Sequence, residues 1–316
     1  MKRQRPEWAG RSVAAAVGWL DAAPVPLRGR IDAVRSRVAR GRSGDLAEGM
    51  LAAPLLGPYF AMTEAFRRDL ELPGEGAIDE VGKGAVALYL YLRIQDDVID
   101  EPMTFDPSYF YVAELLAGAS AEAYARAVGD RAVFWSFRRA ILDDMARASA
   151  WEIDAYRVID RAEAGARAEE HAEVLGSKLA PVAIPLAALA AAARKEEHLA
   201  WFGDFARGFG AALQIANDLL NAREDHAAGR LTPSLAALYA GGRVAEGADA
   251  SRVWPALAGD AALPRMVGAA RRFAEAAVDL AAKAGARTLA AAVNESAALL
   301  DDIPSRLLKL SLGVGP

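Results

Sequence analysis

Residues Leu88-Tyr89-Leu90-Tyr91-Leu92-Arg93-Ile94-Gln95-Asp96-Asp97-Val98-Ile99-Asp100-Glu101, followed by Pro102, decide how this chain is read. An apolar and aromatic run of the kind that makes an interior helix delivers three aspartates at i, i+1 and i+4, and a proline then ends it. Helical geometry puts Asp96 and Asp100 on one face, with Asp97 beside them. Carboxylates at the C-terminal end of a helix are opposed by its macrodipole and repel one another, so something positive has to compensate. Basic side chains would serve, and so would a divalent cation; all-oxygen ligands suit magnesium, which keeps several waters and shares a substrate phosphate. The alternative is an acidic helix end hydrated at the surface.

Composition narrows the field. The chain has 316 residues, 53% of them hydrophobic, and a formal charge of -5. It can bury a large core and carries no bias toward a polyanion or a bilayer, so neither nucleic acid nor stable membrane insertion is expected. There is no cysteine, which excludes thiolate nucleophiles, disulfides and cysteine-ligated zinc. His171, His198 and His226 are the only histidines, and each reads as an ordinary surface or cap residue rather than part of a metal centre. The basic start, Met1-Lys2-Arg3-Gln4-Arg5-Pro6, is followed by an apolar piece broken by Gly18 and Asp21, which does not read as a signal peptide. A soluble cytoplasmic protein is the expectation.

Residues 1–45 are rich in Arg, Gly and Pro and read as a loose N-terminal arm with short helices. From Leu46 to the end, Ala, Leu and Arg dominate, and the period-two alternation of strands never extends over a useful length. Helices are expected near 46–70, 77–101, 108–128, 131–160, 165–193, 196–228, 232–240, 262–283 and 285–310, with stop signals such as Pro73-Gly74, Gly129-Asp130, Gly229 and Gly241-Gly242 between them. The fold class is all-α, with residues 46–316 forming a single helical domain.

A second constellation lies between Phe202 and Arg230. Here Asn217, Asn221 and Asp225 fall at i, i+4 and i+8, placing three oxygen ligands along one face of one helix whose acidic end is again its C-terminal end. A solvated Asn and Asp ladder is the alternative, but the apolar run leading in says that this face comes from the interior. Packed helices lie roughly 8 to 10 Å apart, so two such ends could face each other across a hydrated diphosphate with its metals.

Arg93 through Glu101 resembles the first aspartate-rich motif of class I isoprenoid synthases, and Gln214 through Asp225 with Gly229-Arg230 resembles their second metal-binding motif. The arginine three residues before the aspartates and the Glu224-Asp225-x-x-x-Gly229-Arg230 ending look most like squalene and phytoene synthases. Phe202-Gly203, Phe209-Gly210, Gln214-Ile215 and Gly176-Ser177-Lys178 look more like trans-polyprenyl diphosphate synthases. The resemblance spans roughly Leu51 to Leu238.

It implies a helical bundle around a central apolar cavity that takes a small-molecule prenyl diphosphate. Three magnesium ions, replaceable by manganese, would be held by Asp96, Asp100, Asn217, Asn221 and Asp225, with Asp97 either a further ligand or a group that supports the ligands from beside them. Arg93, Lys178, Arg223 and Arg230 would contact the diphosphate. A surface lysine is the alternative for Lys178, and an ion pair with Glu224 or Asp218 the alternative for Arg223. Tyr59, Phe60, Tyr89, Tyr91, Phe205 and Phe209 are candidates for the cavity wall, where aromatic faces stabilise a carbocation, and plain core packing is their alternative. A homodimer is a further implication of the resemblance.

Three departures separate the activities. Leu51 through Pro58 contains no basic residue where chain-elongating synthases hold isopentenyl diphosphate. Pro102 through Pro107 lacks the paired arginines that follow their first motif. Glu170 through Leu175 replaces the tyrosine-rich segment of squalene and phytoene synthases. These favour an enzyme that ionises one linear allylic diphosphate and cyclises, rearranges or quenches the cation with water. The alternatives are a prenyltransferase of the squalene/phytoene or polyprenyl type, its second substrate met by other residues such as Arg67 and Arg68, and a noncatalytic helical subunit of a prenyl synthase.

Overall fold

Alanine and leucine at helical spacing, punctuated by glycine and proline, make helices throughout the parts of the chain that the computed structural model describes: residues 6–32, 56–72, 75–100, 106–245 and 247–311. No strand occurs among these residues. The helices are α1 (Glu7–Asp21), α2 (Leu56–Asp69), α3 (Gly76–Asp100), α4 (Tyr109–Val128), α5 (Ala132–Asp154), α6 (Arg161–Ala166), α7 (Ala168–Gly176), α8 (Ala183–Ala192), α9 (Leu199–Ala227), α10 (Pro233–Ala240), α11 (Val253–Ala258), α12 (Ala262–Lys283), α13 (Arg287–Ala297) and α14 (Ile303–Ser311). They fall into two compact units, residues 1–137 with 184–199 and residues 138–183 with 200–316.

In the first unit α3 packs against α1 and α4. Ser120 Oγ on α4 donates to the Gly84 carbonyl at 2.9 Å. Helix α1 departs from the loose arm that its composition suggests. Trp8, Ala9, Val13, Ala16 and Leu20 form one buried stripe at helical spacing, and α1 lies on α3 where Gly82 leaves room for Trp8 and Ser12. Arg30, further along the arm, donates to Asp106 Oδ2 at 3.1 Å and to Ser108 Oγ at 2.7 Å. Residues 33–45, and the start of the helix expected from residue 46, lie outside the described residues.

A polar knot ties α1 to α2. Glu64 accepts from Trp8 Nε1 at 3.1 Å, from Arg67 at 2.8 and 2.9 Å, and from Arg68 at 3.0 Å. Burial by itself would raise the Glu64 pKa, but the Arg67, Trp8 and Arg68 donors outweigh it and hold the carboxyl at about 2.

The second unit is built along α9. Ile215, Leu219 and Ala222 share a core with Leu235 of α10, Met266 of α12 and Leu307 of α14. The helix expected over 165–193 is several pieces, because Pro181 has no N–H to donate and Ser177–Val182 tightens into a 3-10 turn. Pro185 is tolerated in the first turn of α8. The helix expected over 131–160 stops at Asp154, and Asp160 caps α6 by accepting from the Ala162 and Glu163 amides at 2.9 and 3.2 Å. The one expected over 285–310 is interrupted at 298–302, and α11 has no counterpart among the expected helices.

Residues Ala168–Ala192 are long and apolar enough to cross a membrane, but 78% of their most apolar window is buried inside the protein, so that apolarity belongs to the core. Two histidines also depart from the surface reading. His171 is buried against the rings of Trp151 (5.3 Å) and Tyr156 (5.1 Å), and burial lowers its pKa. Buried His226 donates from Nε2 to the Ala248 carbonyl at 2.7 Å, with the Tyr239 hydroxyl 2.7 Å from Nδ1.

The Glu64 knot is testable through its pH dependence. A folded-state pKa of about 2 lies below the ordinary value of 4.5, so the stabilisation is complete above pH 4.5 and fades as pH falls toward 2. Glu64→Gln should therefore cost about 2–3 kcal/mol at pH 7 and much less near pH 2.5, as checked by urea unfolding at both values.

Candidate functional site

The C-terminal end of α3 carries the first acidic segment. Arg93 pairs with Asp96 at 3.2 Å, one turn apart, with the two side chains 26% and 37% exposed. Gln95 donates to the Tyr91 hydroxyl at 2.6 Å. Asp97 and Asp100 lie on the last turns of this helix, but their side chains, like residues 101–105, lie outside what the structure describes.

On α9 the structure turns the second segment further than the i, i+4, i+8 spacing implies. Asn217 is exposed and accepts from Asn221 Nδ2 at 2.8 Å. The buried edge of that face is made by Asp218 and Asp225, with Gln214 and Asn221 half-buried beside them. Successive residues step 100° around a helix, so 214, 218, 221 and 225 share a face narrower than a quadrant. Gln214 Nε2 donates to Asp218 Oδ1 at 2.7 Å, while Asp218 Oδ2 is buried with no hydrogen-bond partner. Burial first, and the neighbouring Asp225 charge second, push the Asp218 pKa well above the carboxylate range. Asp225 is also raised by burial, against the pull of Arg230, which donates to its Oδ1 from Nε at 3.0 Å and from a terminal nitrogen at 2.8 Å.

Lys178, in the 3-10 turn after α7, donates to Glu152 on the last turn of α5 at 2.7 Å. The negative charge of Glu152 acts on Asp218, Asp225 and the buried Tyr156, whose phenol is raised first by burial and then by Asp218. The second unit thus gathers Glu152, Asp218 and Asp225 with two cations, Lys178 and Arg230. The register that does this depends on a backbone contact: a Cβ at Gly210 of α9 would stand 2.2 Å from the Gly176 carbonyl oxygen, and one at Gly176 would stand 2.4 Å from the Ala211 nitrogen.

Other expected residues are placed elsewhere. Arg223, two residues and about 200° from Asp225, is exposed, and its guanidinium sits 5.4 Å over the Trp254 ring, so it does not join the acidic face. Arg67 and Arg68 are both engaged by Glu64. Phe60 is buried edge-on to Trp8 at 5.3 Å, and Phe205 and Phe209 stack at 6.2 Å in the core. Tyr59, Tyr89 and Tyr91 are half-buried. Gln214 and Asp218 lie within the second motif but were given no role of their own from the sequence, and Glu152 was not singled out at all. The Gln214-to-Asp218 step of four and the Asp218-to-Asp225 step of seven were a legible signal for the first two, whereas Glu152 had none.

Magnesium can be tested against this donor set. Among the described residues no three Asp, Glu or His side chains converge closely enough to hold a metal unaided. The donors are nonetheless all oxygen, one buried carboxyl oxygen of Asp218 is unpartnered, and carboxyl groups outnumber basic side chains by one in the group of five. That suits an ion that takes one or two carboxylates and completes its octahedron with water and substrate phosphate.

The described residues are all helical, and their fold is one found in solved prenyl synthases. The chain matches the crystal structure of a polyprenyl synthase from Roseobacter denitrificans over 95% of its own length and 99% of that chain, with a TM-score of 0.59 and 17% identity. It also matches a geranylgeranyl pyrophosphate synthetase from the archaeon Geoglobus acetivorans over 92% of its length and 95% of that chain, with a TM-score of 0.62 and 15% identity. At such identities the likeness is one of fold. No family model and no curated protein sequence matches the chain.

Asp218→Asn keeps the shape and the Gln214 contact while removing the carboxyl whose ionisation burial opposes. It should raise the melting temperature of the metal-free protein on the order of 2–4 °C and shrink the further rise that magnesium with inorganic diphosphate gives the parent, both read by differential scanning calorimetry.

Proposed function

We propose that this chain is a magnesium-dependent synthase that acts on an allylic prenyl diphosphate and transfers the prenyl group to a second substrate. The observation that carries this reading is the acidic, oxygen-only face of α9, with Lys178 and Arg230 beside it, in a fold shared along most of its length with two prenyl synthases. In this reading Asp96, Asp97 and Asp100 of the first segment and Asp218, Asn221 and Asp225 of the second supply oxygen ligands to magnesium, with Asn217 at the exposed edge. Bound magnesium would neutralise the diphosphate as a leaving group. Lys178, Arg230 and Arg93 are the cations that bind and orient that diphosphate, and the apolar helices keep water from the allylic carbon. Nothing in this chemistry calls for a bilayer, and we place the enzyme in the cytoplasm.

A second reading, in which one diphosphate is ionised and cyclised or quenched, is favoured by a specific observation. Neither 51–58 nor 102–107 contains a lysine or arginine, and Arg67 and Arg68 are taken by Glu64. A second diphosphate would then have to find its counter-charges elsewhere, or the acceptor would have to be an uncharged molecule.

Incubation with geranyl, farnesyl and geranylgeranyl diphosphate, each with and without isopentenyl diphosphate and magnesium, separates the readings by mass spectrometry. A longer diphosphate or a doubled hydrocarbon is the expected product. A hydrocarbon or alcohol of unchanged carbon number would establish the second reading, and no magnesium-dependent product would indicate a noncatalytic subunit.

Asp96→Asn and Asp225→Ala should each lower kcat by roughly a hundredfold or more with helical circular dichroism preserved. Full activity in either variant would sink the metal-ligand assignment, as would activity restored by zinc alone.

A further inference from the structure

Nothing in the proposed chemistry uses His226, although it is buried and directly follows Asp225. Its ring bridges two elements. Nε2 lies 2.7 Å from the Ala248 carbonyl, and Nδ1 lies 2.7 Å from the Tyr239 hydroxyl of α10. A carbonyl only accepts, so Nε2 carries a proton, and a hydroxyl can either give to or take from Nδ1. Both bonds therefore hold whatever the charge on the ring, which makes it a fastener rather than a pH switch. The carbonyl it reaches belongs to an ordered turn. The Ala248 amide donates to Ala245 at 3.1 Å, and Asp249 accepts from the Ser251 amide at 2.7 Å at the start of the 3-10 turn Ala250–Arg252.

The same end of α9 is built around Asp225 and Arg230. Gly229 adopts a positive φ of 67°, the Gly229 amide donates to the His226 carbonyl at 3.0 Å, and the Arg230 amide donates to the Asp225 carbonyl at 2.8 Å. This is the paired-bond helix ending that a left-handed glycine permits. It brings the Arg230 guanidinium back onto Asp225, where both of its bonds, at 2.8 and 3.0 Å, fall on Oδ1. Asp225 and His226 thus share one cap: their carbonyls are its two acceptors, and their side chains leave the axis about 100° apart. Arg223, about 60° around the axis from His226, fastens that side of the helix again, its guanidinium 5.4 Å over the Trp254 ring. Both anchors grip the helix away from Asp225.

We propose that His226 is a positioning residue: its bridge to Tyr239 and Ala248 holds the last turn of α9 so that Asp225 and Arg230 present a fixed pair to magnesium and its diphosphate. This rests on the reading of Asp225 as a magnesium ligand. His226 touches no reacting atom and acts through Asp225, so the aspartate has to be present for the loss of His226 to be felt in metal binding.

The test is isothermal titration of inorganic diphosphate at stepped magnesium concentrations, alongside KM and kcat for the allylic substrate. His226→Phe keeps a ring of similar size but neither bond. It should raise the magnesium concentration for half-maximal binding on the order of tenfold, the scale of losing a group that supports a metal ligand, with KM raised at limiting magnesium and restored by excess. His226→Gln retains a donor for Ala248 and should fall between. Tyr239→Phe, which removes one hydroxyl, should give a rise of about threefold. In an Asp225→Asn background, His226→Phe should add nothing.

An unchanged magnesium requirement in His226→Phe would overturn the proposal, and a lower melting temperature with that requirement intact would assign His226 a merely structural role and overturn it likewise. So would a penalty of equal size in the Asp225→Asn background. If His226→Phe does not fold, Tyr239→Phe in the two backgrounds carries the same comparison. Failure of the parent protein to bind diphosphate at any magnesium concentration would bring down the functional reading itself and this inference with it, an outcome distinct from equal binding by the parent and the His226 variants.

Discussion

Two backbones touch at Gly176 and Gly210, and the chemistry of the second unit depends on that contact. With a carbonyl oxygen 2.2 Å from where a Cβ would stand, no side chain fits at position 210 without the segments moving apart. Contact at this distance sets how far along α9 the turn after α7 lies, and so brings Lys178 to the level of the acidic residues. The tight 3-10 geometry of Ser177–Val182, forced by Pro181, then aims the chain back into the apolar α8. A substitution that separated the two backbones would displace the charge arrangement without touching a charged residue.

Electrostatics at α9 are built out of balance. Arg230 answers Asp225 and Lys178 answers Glu152, which leaves Asp218 buried with one oxygen satisfied by Gln214 and the other by nothing. A buried carboxylate in this condition either holds a proton or awaits a cation. Structural ion-pair networks close their own hydrogen bonds, whereas a site that must accept a charged ligand leaves some of them open. In the proposed reading, the open oxygen on Asp218 is one that an arriving magnesium ion would meet.

The first unit makes the opposite use of its charges. Glu64 gathers Trp8, Arg67 and Arg68 into a closed set that fastens α1 to α2, and its depressed pKa expresses how completely the carboxylate is satisfied. Those two arginines are spent on architecture, which bears directly on how a second anionic substrate could be met. At the end of α3 the Arg93–Asp96 pair is half-open to solvent.

The sequence by itself determined the helical class, the position of both acidic segments and most helix boundaries, because periodicity, proline and glycine act locally. It excluded a thiol centre, since the chain has no cysteine, and its resemblance pointed to the fold. It could not say which edge of α9 is buried. Spacing sets the angles between Asn217, Asp218, Asn221 and Asp225, but the azimuth of the whole set is chosen by what packs on the other side, here Leu235, Met266 and their neighbours. For the same reason only the tertiary structure decided that Arg223 stacks on Trp254, that Glu64 captures Arg67 and Arg68, and that Glu152 holds Lys178. The stacking of Arg223 and the Glu152–Lys178 pair join residues 31 and 26 apart. The Glu64 set is local in spacing but completed by Trp8, 56 residues away. Pairing over such distances follows from how helices pack, and no local pattern encodes it.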